Sequence, residues 1–274
     1  MDKVHSYSES DMRKGDLLRF ANGIAAVYSA RSPVKDTANE DSVALIPYDE
    51  RSGVMVVADG VGGMPSGDHA SRIAVDALVR AVERAARDQL PLREAILDGI
   101  EQANRDVQAR AMGGATTLAL VELDGSTIRS YHVGDSMILV TGQRGKVKQQ
   151  TVSHSPVGYA VESGLLDENE AVHHEDRHIV SNVVGSSDMR IEIGPHLELA
   201  ARDTVVLATD GLFDNFYVEE IIGRMRTGHL DDVVQRLANE GRERMVHPCE
   251  GCPSKPDDMS FIVFRLAREP SAQL

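Results

Sequence analysis

The chain contains no tryptophan, and phenylalanine and tyrosine are so few that aromatics make up only 4% of its 274 residues. Its core must therefore be filled by aliphatic side chains, and alanine, valine, leucine and isoleucine dominate the 42% hydrophobic content. Only two cysteines occur, Cys249 and Cys252, which excludes a small scaffold held together by a disulfide framework. No apolar run approaches the ~20 residues needed to cross a bilayer. The opening MDKVHSYSESDMRKGDLLRF also lacks the apolar segment of a secretory signal. These absences lead to the expectation of a cytoplasmic protein without a membrane partner. A basic surplus is missing too: 43 acidic side chains face 29 basic ones, for a net charge of −14. That balance argues against nucleic acid as a partner and leaves carboxylates to spare as cation ligands.

What is present is the length and patterning of one large domain, able to remove roughly 70–75% of its unfolded surface from water. Residues 1–20 are polar and mixed, and read as a loosely attached lead-in to a domain over 21–268. Short β-type runs follow: IAAVY, SVALIP, VMVVA, TTLALVEL, TIRSYHV, MILV, TVVLAT and SFIVFRL. Asp124-Gly125 between the fourth and fifth reads as a hairpin turn. Amphipathic periodicity predicts a helix from about Ser66 to Arg87, with Ser66 as its N-cap, and a second after Pro91. Shorter helical pairs are expected within about 155–184 and from Val218 to Met245. Strands grouped apart from paired helices predict an α+β fold with sheets packed between helical layers, not a doubly wound parallel sheet.

The chemistry-bearing pattern is aspartate at strand ends. VMVVADG ends an apolar strand on Asp59 and Gly60, and TVVLATDGLFDN repeats the device with Asp210, Gly211 and Asp214. KPDDMSFIVFRL sets Asp257 and Asp258 just before a strand, and HVGDSM holds Asp135 in a turn between two. In an antiparallel sheet the C-terminal end of one strand lies beside the N-terminal end of its neighbour, so Asp59, Asp210 and Asp257 are expected at one sheet end. Two carboxylates ~4 Å apart repel by about 4 kcal/mol at an effective dielectric of ~20. A bound cation relieves that repulsion, and oxygen-only ligands select hard ions such as Mg²⁺ or Mn²⁺.

In order, NEDS (Asn39 to Ser42), VADGVGG, GGATTLALVELDG, HVGDSMILV, VVLATDGLFDN and DDMSFIVF resemble the motifs of the metal-dependent serine/threonine protein phosphatases of type 2C, in their compact bacterial form. The likeness runs over about residues 24 to 266. It implies a four-layer α-β-β-α sandwich, with a flap over about 155–184. It further implies that Asp59 bridges two Mn²⁺ or Mg²⁺ ions, that the Gly60 carbonyl helps hold the second, and that Asp210 and Asp257 complete the first. Asp135 and Asp214 match positions of a possible third ion, and Glu40 and Asp41 an acidic pair that holds metal-bound waters. The implied reaction is in-line attack by a metal-bridging water on phosphoserine or phosphothreonine in a phosphoprotein, opposing a serine/threonine kinase.

Two positions depart from the family pattern. Where its members carry a phosphate-gripping arginine this chain has Asp36, leaving Lys35 or Arg31 to take that role; a lysine would act as a point charge without the bidentate fork. Val61 stands where some members place a histidine as general acid. Both losses leave open a second function: a phosphatase-like binding or sensor domain with weak or no turnover. Other signals are weaker. His174-Glu175-Asp176-Arg177-His178 matches a zinc-peptidase pattern, but with charged flanks and no third ligand. Cys249-Glu250-Gly251-Cys252 precedes a strand where a redox motif wants a helix, and reads as a reduced, incidental pair. GVGGMP has Pro65 where a dinucleotide fingerprint needs glycine.

Overall fold

The computed structural model describes residues 3–61 and 66–267; the glycines Gly62 and Gly63 of the VADGVGG motif lie outside the described residues. Two antiparallel sheets stack face to face. The seven-stranded sheet runs β1 (His5–Ser8), β4 (Ser42–Pro47), β5 (Ser52–Ala58), β6 (Leu118–Asp124), β7 (Thr127–Val133) and β10 (Glu192–Ile193), with β11 (Leu197–Glu198) also on β7. The six-stranded sheet runs β2 (Asp16–Phe20), β3 (Gly23–Ala30), β13 (Met259–Leu266), β12 (Thr204–Ala208), β8 (Met137–Thr141) and β9 (Val147–Gln150).

The central strands are apolar without interruption because both of their faces are covered. Side chains alternate between the faces with period two. In β5, Val54, Val56 and Ala58 face the helices while Met55 and Val57 face the other sheet. In β13, Phe261 and Val263 go to the helical side, and Ile262 and Phe264 to the space between the sheets.

Helices α1 (Gly67–Asp88) and α2 (Leu92–Arg110) cover the seven-stranded sheet. Alanines 70, 74, 77 and 81 on the buried face of α1 leave room for α2 to lie close. Ser66 does not cap α1 as expected: its φ of 65° is left-handed, and its side chain makes no capping bond. Within about 155–184 lie α3 (Pro156–Glu162), α4 (Glu168–Ala171) and a 3₁₀ turn (Glu175–His178). The short α5 (Asp210–Phe213) leads to α6 (Val218–Met225) and α7 (Leu230–Val246), which close the six-stranded sheet from outside. The order of layers is thus α-β-β-α. Among the described residues no helix is long and apolar enough to cross a membrane.

Two expectations need correction. Residues 3–20 are not a loose lead-in: β1 pairs with β4 from His5↔Leu45 to Ser8↔Ser42, and β2 pairs with β3 along its length. Their polar composition suits edge strands, which bury one face at most. The two cysteines are not a reduced pair. A turn closed by Cys252 N–H on the Cys249 carbonyl at 3.1 Å brings their Cα atoms to 5.4 Å, and they form a disulfide. Local turn geometry joins them without the strand–helix setting that a redox motif would use.

Candidate metal centre

Register explains why aspartates far apart in sequence meet. Ala208, the last residue of β12, lies opposite both Phe261 of β13 and Met137 of β8. Asp210 beyond β12, Asp257 and Asp258 ahead of β13, and Asp135 ahead of β8 therefore share one end of the six-stranded sheet. In the other sheet Ala58 lies opposite Ser42 and Val57 opposite Ala119, so Asp59 leaves from the end at which Glu40 and Asp41 enter. Hydrogen bonds tie the two sheet ends together. Thr209 Oγ1 donates to Asp41 Oδ2 at 3.0 Å, and Glu40 N–H to Asp258 Oδ2 at 2.8 Å.

Local structure fixes each position. The main chain of Asp59 is locked to β6: its N–H donates to Thr117 Oγ1 at 3.1 Å, and its carbonyl accepts from Thr117 N–H at 2.8 Å and Thr116 Oγ1 at 2.7 Å. Gly60 follows because α1 begins against it. A Cβ at Gly60 would run into the Gly67 backbone and come within 2.9 Å of the Glu40 carbonyl. Gly211 is equally constrained, since a Cβ there would strike the Asp258 carbonyl.

Five of these carboxylates, Asp41, Asp59, Asp135, Asp214 and Asp257, resist ionisation. Burial, then the charges of Asp41, Asp210, Asp257 and Asp135, push Asp59 well above the usual carboxylate range. Asp41 is raised by complete burial and then by Asp258. Burial followed by Asp210 and Asp214 lifts Asp135 to about 7, and burial followed by Asp210 lifts Asp257 to about 7. Asp214 is raised by burial and by Asp210.

Three buried carboxylate oxygens of the cluster, Asp41 Oδ1, Asp210 Oδ1 and Asp214 Oδ2, have no hydrogen-bond partner. Orphaned anionic oxygens beside mutually repelling carboxylates, in a cradle shaped by glycine, fit a hard divalent cation. The carboxylates whose charges act on one another here are those of Asp41, Asp59, Asp135, Asp210, Asp214 and Asp257.

The sequence reading missed Lys255. Its ammonium stands 2.5 Å from Asp210 Oδ2, 2.9 Å from Asp214 Oδ2 and 3.4 Å from Asp257 Oδ2. The available signal was its position two residues ahead of Asp257. Asp258, the neighbour of Asp257, is a buried hub: it accepts from Ser32 N–H, Glu40 N–H and Lys35 Nζ.

Of the two proposed phosphate anchors, Lys35 lies between Glu40 and Asp258, its ammonium 2.9 Å from Asp258 Oδ2. Arg31 is committed to Asp11 Oδ2 at 3.2 Å and to the Lys35 carbonyl. Asp36 is exposed. A cavity of about 370 Å³ adjoins the cluster, walled by Asp135, Asp214 and Arg177 at its polar end and by Val157, Phe213 and Phe216 elsewhere.

His132, His154 and Glu192 also come together, with the two rings stacked at 4.3 Å. Hydrogen bonding occupies three of the four ring nitrogens. Gly134 N–H donates to His154 Nδ1 at 3.0 Å, so Nε2 carries the proton and donates to Glu192 at 3.1 Å. His132 Nε2 donates to the Val152 carbonyl. The zinc-peptidase pattern fails for a different reason. Glu175–His178 is a 3₁₀ turn, in which positions i and i+4 do not share a face.

Comparison with known proteins follows the same lines. A family model for protein phosphatase 2C matches residues 31–247. Protein phosphatase PhpP of Streptococcus pneumoniae is 30% identical over 201 residues, 68% of this chain and 78% of that protein. The crystal structure of serine/threonine phosphatase Stp1 from Staphylococcus aureus superposes with a TM-score of 0.73 at 24% identity, covering 94% of this chain and 99% of that one. The catalytic domain of the serine/threonine protein phosphatase PstP, in complex with two manganese ions, superposes with a TM-score of 0.68 at 23% identity, covering 89% and 98%.

Proposed function

Since this chain belongs to the protein phosphatase 2C family, we propose that it hydrolyses phosphoserine and phosphothreonine in proteins, using Mn²⁺ or Mg²⁺ held by Asp59, Asp210, Asp257 and the Gly60 carbonyl. The observation that carries this reading is the convergence of aspartates from five strand ends on one cleft, with buried oxygens left unpaired. When bound, a pair of divalent ions supplies an ionised water and offsets charge on the phosphoryl oxygens.

The residues of the chain do the positioning. Asp41, held by Thr209, and Glu40, held through its backbone by Asp258, would accept hydrogen bonds from waters in the cleft. Asp135 and Asp214 form a further acidic pair. Lys35 is the better placed of the two candidate phosphate anchors, because it stands beside Glu40 and Asp258 whereas Arg31 pairs with Asp11. With Val61 in the general-acid position, the leaving seryl or threonyl oxygen takes its proton from solvent. The cellular counterpart of such an enzyme is a serine/threonine kinase that installs the same phosphate.

Hydrolysis of p-nitrophenyl phosphate and of a phosphothreonine peptide tests the proposal. Activity should require Mn²⁺ or Mg²⁺ and vanish with chelator; turnover that survives chelation overturns it. Asp36 and Val61, in place of the family's arginine and histidine, motivate a second reading, a phosphatase-like binding or sensor domain of weak or no turnover. Saturable peptide binding at full metal loading without phosphate release would select that reading.

A further inference from the structure

Lys255 enters the acidic cluster from the segment between α7 and β13, and its backbone is fastened there. The buried Asn215 side chain grips it from both sides: Lys255 N–H donates to Asn215 Oδ1 at 2.9 Å, and Asn215 Nδ2 donates to the Lys255 carbonyl at 2.8 Å. Asn215 is itself held, donating to the Gly211 carbonyl at 2.9 Å, while its own carbonyl accepts from Arg244 Nη1 at 2.8 Å. The preceding residue is tied down as well. Ser254 Oγ donates to the Arg244 carbonyl, and the Ser254 carbonyl accepts from Arg177 Nη2. An ammonium on so fixed a base is a built component of the wall.

Its three carboxylate contacts differ, and the one to Asp257, at 3.4 Å, is the longest. Lys255 takes Asp210 Oδ2 and leaves Asp210 Oδ1 unpaired, so Asp210 can serve a cation on its other side. Asp214 Oδ2 accepts no hydrogen bond, but it faces two cations: the Lys255 ammonium at 2.9 Å and Arg177 Nε at 4.0 Å. Two fixed positive charges thus face the carboxylate that a third divalent ion would need. Like charge at that range opposes a divalent cation strongly in a partly buried site.

We propose that Lys255 takes the place of the third divalent cation, so that this chain works with two metal ions and one internal ammonium. The inference rests on the metal-dependent reading given above. It assigns Lys255 as a positioning and metal-selectivity residue, acting through Asp210 and Asp214.

The test counts ions. Mn²⁺ alone is titrated into the full chain, with bound metal quantified by equilibrium dialysis and free Mn²⁺ by electron paramagnetic resonance. Wild type should saturate at two ions. Lys255→Met should take up a third, or bind its weakest ion at least ~10-fold more tightly, and Lys255→Arg should remain at two. Circular dichroism in chelator establishes that the variants are folded. Three ions in wild type, a measurement that needs no variant, overturns the proposal while leaving the phosphatase reading intact. Identical stoichiometry and affinity in a folded Lys255→Met variant overturns it as well. If wild type binds no Mn²⁺ at all, it is the metal-dependent reading that falls, and this inference falls with it.

Discussion

At the scale of single residues, the candidate site is a problem in placing negative charge. Asp59 has neighbouring carboxylates on several sides, and its ionised form is unfavourable unless a cation shares the cleft. Asp59→Asn and Asp257→Asn should each reduce metal-dependent hydrolysis by about 10²–10³-fold or more, the scale on which a single preorganised electrostatic contact is felt. Steady-state assays at about 1 mM Mn²⁺ check this, and wild-type rates in either variant would count against the assignment. The pH dependence has a definite sign. Asp135 and Asp257 keep their protons up to about 7, well above the free value of 3.8. Between about pH 4 and 7 the folded chain therefore binds more protons than the unfolded one. Metal-free stability should fall as pH rises through that window and level off above it. Metal uptake displaces the same protons, so Mn²⁺ affinity should rise across the same window. Melting curves at about pH 5.5 and about pH 8 should show the larger Mn²⁺-induced gain at the higher pH; a larger gain at the lower pH contradicts the account.

At the scale of elements, the site depends on close backbone approach. The turn from β12 into α5 lies against the segment entering β13, and Gly211 is the contact point. Gly211→Ala forces the two apart and should lower stability by roughly 1–3 kcal/mol, the usual range for overpacking. Urea midpoints measure this, and an unchanged midpoint would mean that the two segments yield easily. The periodicities of α1, α2 and the long strands were legible because each feeds a buried face over many residues. The short strands β9, β10 and β11 were not. They are two to four residues long and largely exposed, so no apolar period marks them. Ser66 misled for a related reason: a residue type favoured at helix starts is only a preference, and here the chain enters α1 through a left-handed conformation.

At the scale of the whole molecule, the metals should act as ligands of the native state alone. Mn²⁺ at about 100 times its dissociation constant contributes about 2.7 kcal/mol for one site. For a domain of this size that corresponds to a rise of roughly 5–11 °C in melting temperature. Asp210→Asn should blunt the rise, and a metal-independent melting temperature at millimolar Mn²⁺ would contradict a metal centre that spans both sheets.

The sequence by itself determined the layers and the family motifs. Aliphatic runs of period two and helices of period 3.6 specify which faces are buried, and an Asp-Gly pair at the end of an apolar strand marks where backbone and carboxylate meet a ligand. Such signals are local, and local patterns survive in one dimension. Tertiary structure decided what no local pattern encodes. It recruited β1 and β2 to the sheet edges, closed the Cys249–Cys252 turn, engaged Arg31 with Asp11, and drove Lys255 into the carboxylates of Asp210, Asp214 and Asp257. Charge pairing and edge pairing depend on which segments become neighbours in space, and only the folded chain sets those distances.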